Sequence, residues 1–182
     1  MPYIAPPTDA TLAPAGRAQL DAFAVEHGHF ADLRAIFAHF PTALTALDNQ
    51  YSLIMGRGAL DRWVREAVFA VCADARGDAY LAAALAAQAL RHGADAERLT
   101  GFLAQAPEVT TAGDGVDELI RFSRKMAVEP YKSVERDVRS LHEAGWSNAH
   151  LVEVLTVVSL SAYMDIMTLS LHLGPTTEPR RP

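Results

Sequence analysis

An all-α fold is what the sequence predicts, on three observations. Apolar residues recur at spacings of three and four along nearly the whole chain, almost nothing alternates with strand period, and aromatic and β-branched residues never gather into strand-like runs. The 182 residues, half of them hydrophobic, suit one globular domain burying roughly 70% of the surface its unfolded chain would expose. Residues 1–16, rich in Pro, Ala and Thr, read as a flexible extended arm, 17–174 as a single helical domain, and 175–182 as a disordered tail.

Leu20, Phe23 and Ala24 fit a first short helix stopped near Gly28, and Phe30, Leu33, Ile36 and Phe37 a second that ends before Pro41. Thr42 to Met55 forms the next, with Leu44, Leu47 and Tyr51 on one face, before Gly56 and Gly58 break the chain. From Leu60 to Ala75 the pairs Trp63/Val64, Ala67/Val68 and Val71/Cys72 give one wide apolar stripe. Gly77 interrupts it, and an Ala-rich helix follows from Asp78 to His92. Gly93 suits a helix end, and Asp95 an N-cap for a short helix to Ala104. After a loop carrying Pro107, Gly113 and Gly115, a helix through Leu119, Phe122 and Met126 ends before Pro130. Ser133 is the expected cap of a helix containing Val134, Val138 and Leu141, and Ser147 opens a long, largely apolar helix to about Leu173. A helix apolar on several sides is central in a fold or part of a subunit interface.

A net charge of −6, with 16 basic residues scattered among 22 acidic ones, argues against a nucleic-acid-binding face. No secretory signal is visible between Met1 and Leu20. The uncharged core between Glu153 and Asp165 is shorter than the roughly 20 residues a bilayer requires. The expectation is a cytoplasmic protein with no membrane partner. Cys72 stands alone, which rules out an internal disulfide or dithiol cycle. The histidines offer no ligand spacing joined to carboxylates: His27, His29 and His39 are scattered, while His92, His142 and His172 fall near predicted helix C-termini, where the dipole favours them. Neither a metal nor a cofactor is expected.

The segment Arg65-Glu66-Ala67-Val68, followed by Arg76-Gly77-Asp78-Ala79-Tyr80-Leu81, resembles the signature of the alkylhydroperoxidase D-like (AhpD-like) and carboxymuconolactone decarboxylase superfamily. Phe40-Pro41-Thr42-Ala43-Leu44 with Tyr51-Ser52-Leu53-Ile54-Met55, and Glu129-Pro130-Tyr131 with the stretch Asp137 to Gly145, are similar to its peroxidase-related subgroup. The resemblance spans roughly residues 40 to 174 and implies an AhpD-like helical bundle. It also implies a glutamate at Glu66, two redox cysteines at the positions of Asp78 and Leu81, and a histidine at that of Leu85. The glutamate is present, but both cysteines and the histidine are missing, and the subgroup's Asn-Arg pair is replaced by Met167 and Thr168.

In the cycle the resemblance implies, one thiolate attacks the peroxide and a second thiol resolves the sulfenic acid. A carboxylate at Asp78 is no substitute and Leu81 cannot ionise, so dithiol peroxidase activity is expected to be absent. Cys72, on the apolar stripe, reads as a small, inert core residue. Two functions then remain open. One is a redox-inactive relative whose old pocket is filled by Leu81 and Leu85, or binds an apolar small molecule. The other is a cofactor-free acid–base enzyme acting on a lactone or related carbonyl, with Glu66 and Asp78 or Tyr80 as candidate catalytic groups. The plainer reading pairs Glu66 with Arg62, Arg65 or Arg76, uses Asp78 as an N-cap, and packs Tyr80 as an ordinary aromatic. The family resemblance and the long apolar helix together imply a homo-oligomer: a dimer, trimer or hexamer.

Overall fold

The computed structural model describes residues 2–8, 11–12, 14, 16–18, 20–21, 30–104, 113 and 115–174, and no strand occurs among them. The tail at 175–182, Phe23 and Ala24 of the expected first helix, and His27 and His29 lie outside the described residues. Helical backbone already occurs at residues 14, 16–18 and 20–21, so it reaches into the expected extended arm; from residue 30 onward the helices are α1 (Ala31–Phe37), α2 (Pro41–Gly56), α3 (Arg62–Ala75), α4 (Ala79–Arg91), α5 (Ala96–Leu103), α6 (Val116–Val128), α7 (Glu135–Glu143) and α8 (Asn148–Ser170). A single 3-10 turn, Pro130–Lys132, separates α6 from α7.

The chain divides into two compact units, one of residues 53–165 and one of residues 1–52 with 166–182. In the first, α3 is the central element, and every residue from Val64 to Ala73 is buried. It packs mainly against α4 and α6, with α5 covering a smaller part. Gly77, at φ +80°, makes the reversal between α3 and α4. The left-handed conformation there lets Asp78 N–H reach the carbonyl of Ala73 at 2.9 Å, closing the end of α3. In the second unit, the edge of Phe30 meets the ring of Tyr51, with centroids 5.4 Å apart. Buried Arg34 grips both oxygens of Asp48 at 2.9 and 2.7 Å. Residues 2–5 carry no helix, yet Tyr3 N–H donates to Leu171 O at 3.0 Å, and its ring stacks on His172.

Several caps follow the sequence. Asp78 accepts from Leu81 N–H at 3.0 Å and Asp95 from Arg98 N–H at 2.8 Å. Ser133 does not cap α7; Asp137 turns back instead and accepts from Val134 N–H at 3.0 Å. Its carboxylate also pairs with Lys125 at 2.6 Å, a tie between helices that a lone serine could not make. By length and composition α8 could cross a membrane, although half of its most apolar window is buried in the fold.

One contact depends on a residue with no side chain. A Cβ at Gly58 would collide with the Glu153 carboxylate and lie 2.5 Å from Arg65 Nη1. That carboxylate accepts from Ala59 N–H at 2.8 Å and from Arg65 at 2.9 Å. Gly58→Ala should therefore dislodge Glu153 and lower stability by about 1–3 kcal/mol, read as a fall in the urea midpoint. An unchanged midpoint would mean that Glu153 swings aside without loss.

Candidate functional site

Glu66 lies in the middle of α3, where a charged side chain is buried only if it is paired. It is 1% exposed, and each oxygen has a partner. Arg62, one turn earlier, donates from Nε to Oε1 at 3.1 Å, and His92 Nδ1 lies 2.7 Å from Oε2. Of the three arginines that the sequence offered Glu66, only Arg62 takes the role. Arg65 pairs with Glu153 at 2.9 Å, and Arg76 with Asp165 at 2.7 Å.

His92 is the C-cap of α4, so its imidazole stands at the negative end of that helix. The ring is 30% exposed and Arg62 is 43% exposed, while the carboxylate between them is buried. A carboxylate only accepts, so Nδ1 carries the hydrogen, and in the neutral ring the lone pair is on Nε2.

Asp78 and Tyr80 stand apart from this pair. Among the described residues, Glu66 hydrogen-bonds Arg62 and His92 and neither Asp78 nor Tyr80. Fully buried Asp78 caps α4, and half-buried Tyr80 lies in the first turn of that helix. Leu81 and Leu85, at the positions where the resemblance implies the second cysteine and the histidine, are completely buried.

Beside Asp78 lies a second polar cluster. Arg76 donates to Asp165 at 2.7 Å, Ser161 Oγ at 2.9 Å and Ala127 O at 3.0 Å. Ser161 also donates to Asp165 at 3.0 Å. Burial pushes the Asp165 carboxyl up to about 6 against the pull of Arg76, and the nearby Asp78 carboxylate adds to the rise. Both acids are buried, as Glu66 is.

Cys72 points into the core, its thiol donating to Ser123 O at 3.5 Å, and burial pushes it up to about 12. Thiolate is the reactive form, so the native protein should not react with a thiol reagent such as DTNB over minutes, whereas the unfolded chain should titrate one thiol. Rapid labelling of the native state would overturn the inert assignment. Among the described residues, no group of three or more His, Cys, Asp or Glu is placed to hold a metal ion.

Sequence reasoning missed His92 as a partner of Glu66 and noticed only its place at a helix end. The signal was present in the turn. Gly77 folds α4 back along α3, so a residue as far after it as Glu66 is before it falls near position 88, about one turn from His92.

No family model matches this chain, and no curated protein matches it in sequence. Solved structures do match in shape. An uncharacterized peroxidase-related protein from Ralstonia eutropha JMP134, described as an alkylhydroperoxidase AhpD core, superposes with a TM-score of 0.83 at 15% identity, over 97% of this chain and 93% of that one. A peroxidase-related protein from Silicibacter sp. TM1040 gives 0.77 at 18% identity, over 97% and 94%. A cysteine-to-alanine variant of the debrominase Bmp8, in complex with 2,3,4-tribromopyrrole, gives 0.79 at 11% identity, over 96% and 92%. The chain has the AhpD-like helical fold of the peroxidase-related proteins.

Proposed function

We propose that this protein is a thiol-independent AhpD-like enzyme that moves protons on a small carbonyl substrate, with His92 as the general base and Glu66 as the group that orients it. The carrying observation is the 2.7 Å contact between a buried carboxylate and an accessible imidazole. Glu66 holds the Nδ1–H tautomer and stabilises the imidazolium formed when Nε2 takes a proton, the role that a carboxylate plays behind histidine in hydrolytic triads. Arg62 occupies the other oxygen, keeping the carboxylate in place. Peroxidase chemistry has no support from the residues: the one thiol is buried, and Leu81 and Leu85 fill their positions with hydrocarbon. The fold neighbour that binds a tribromopyrrole supports a compact ring as ligand.

The test is deuterium exchange by NMR, with a panel of lactones and 1,3-dicarbonyl acids in D2O. Enzyme-dependent loss of the acidic C–H signal supports the proposal. Equal exchange with and without protein across the panel, or full exchange by a His92→Gln variant, overturns it. A second reading rests on the complete burial of Leu81 and Leu85, and makes the protein a redox-inactive relative whose old pocket is filled. The absence of exchange across the whole panel would favour that reading.

A further inference from the structure

Helices α6 and α7 run antiparallel, and a hydrogen bond ties them at each end. Where α6 closes, Lys125 Nζ donates to Asp137 at 2.6 Å; where it opens, Trp146, just past α7, donates from Nε1 to Gly115 O at 2.7 Å. Between these ties lies a groove of about 230 Å³. That is more than the roughly 150 Å³ that takes up a benzene molecule.

The sequence dictates what faces the groove. On α6, Glu118, Arg121, Phe122 and Lys125 follow at helical steps, and Asp137, Ser140 and Leu141 do the same on α7. Buried Phe122 and Leu141 make an apolar floor, and the polar residues stand around it.

The rim is unbalanced in hydrogen bonds. Asp137 is answered twice, by Lys125 and by Val134 N–H at 3.0 Å, and Glu118 is answered by Arg121. The donors are not used up. Arg121 spends one N–H on Glu118 and Lys125 one on Asp137, and the rest of both have no protein partner among the described residues. The Ser140 hydroxyl has none either, whereas Ser123, Thr156 and Ser159 each donate to the carbonyl four residues earlier. The Arg121–Glu118 pair is 59% and 37% exposed, so it holds weakly and the guanidinium is free to turn into the groove. Spare donors on two facing helices, above a hydrocarbon floor, call for an anion with a compact apolar body, and the planar guanidinium matches a carboxylate.

We infer that the α6–α7 groove binds a small monocarboxylate, with its apolar body on Phe122 and Leu141 and its carboxylate held by Arg121, Lys125 and Ser140. None of these residues belongs to the Glu66–His92 pair, and the inference is independent of the chemistry proposed there.

The probes are phenylacetate, phenylacetamide and 2-phenylethylamine, which share a body and differ in the charge of the head. Titrated into the 15N-labelled full chain, phenylacetate should give saturable amide shifts confined to residues 118–125 and 137–141. A Kd on the order of 1 mM is expected for so few atoms. The amide and the amine should bind about tenfold more weakly or not at all. Arg121→Gln should weaken phenylacetate by about tenfold, and Ser140→Trp, which fills the groove from an exposed position, should abolish binding. Both variants should keep the parent melting curve, since both sites are exposed. No shift at about 10 mM phenylacetate overturns the inference. So does equal or tighter binding of the amine, a set of shifts centred on His92, or undiminished binding in either variant.

Discussion

Replacing Arg76 by methionine is expected to destabilise the protein by about 3–5 kcal/mol at pH 7.5, the cost of breaking a buried pair from one side. The guanidinium is the shared donor of the cluster, serving Asp165, Ser161 and Ala127 O together. Methionine fills much of the volume and donates nothing. Because Asp165 is held at about 6 even with Arg76 present, removing the cation leaves the acid to take up a proton, so the loss shrinks as pH falls below 6.

The same group sets a pH dependence whose sign follows from linkage. Its folded pKa, about 6, lies above the ordinary aspartate value of 3.8, so the folded state binds more protons between those limits. The contribution of Asp165 to stability is fully present below pH 3.8 and is lost as pH rises through 6. Asp165→Asn fixes the uncharged form. Its stability relative to the parent should therefore rise between pH 4 and pH 7.5, by about 1–3 kcal/mol, on top of whatever the loss of the carboxylate partner of Arg76 costs at both pH values. Urea unfolding at both pH values reads the two effects. A penalty under 1 kcal/mol for Arg76→Met, or a parent–Asn difference constant with pH, would remove the cluster from the account of stability.

The second large effect is on chemistry. His92→Gln should slow carbon-acid exchange by roughly 10²–10⁴-fold while changing stability by less than about 1 kcal/mol, because the ring sits at a helix end with part of its surface in water. Glutamine can still donate to Glu66 but has no basic nitrogen. Glu66→Gln should also slow exchange, by mispairing the imidazole, and lose stability besides, since its side chain is buried against Arg62. Exchange that survives in His92→Gln but fails in Asp78→Asn would move the chemistry to the residues that the family resemblance suggests.

The helices were legible because each is short-range physics. Gly77 and Gly93 stop helices by conformational freedom, and Asp78 and Asp95 cap the next ones through neighbouring N–H groups. The choice of Arg62 for Glu66 was half legible, being one turn away on the same helix. Ser133 failed as a cap because Asp137 could serve Val134 and Lys125 at once, and Lys125 belongs to another helix. His92 failed for a similar reason: its partner lies 26 residues away, and only the reversal at Gly77 brings them together. The absence of a cysteine pair was plain in the sequence, but the burial of Leu81 and Leu85, where the resemblance implies a cysteine and the histidine, was not, since an apolar side chain can line a cavity as readily as it fills one.

Arg62, Glu66 and His92 all belong to one helical hairpin, folded about a single left-handed glycine. The dyad is therefore a low-contact-order device, closed by a short stretch of backbone without distant strands or termini. Its three members can therefore meet without waiting for the later helices to dock. Such a module is also portable. Grafted as one continuous segment onto another helical scaffold with an apolar floor, it would bring its own geometry with it.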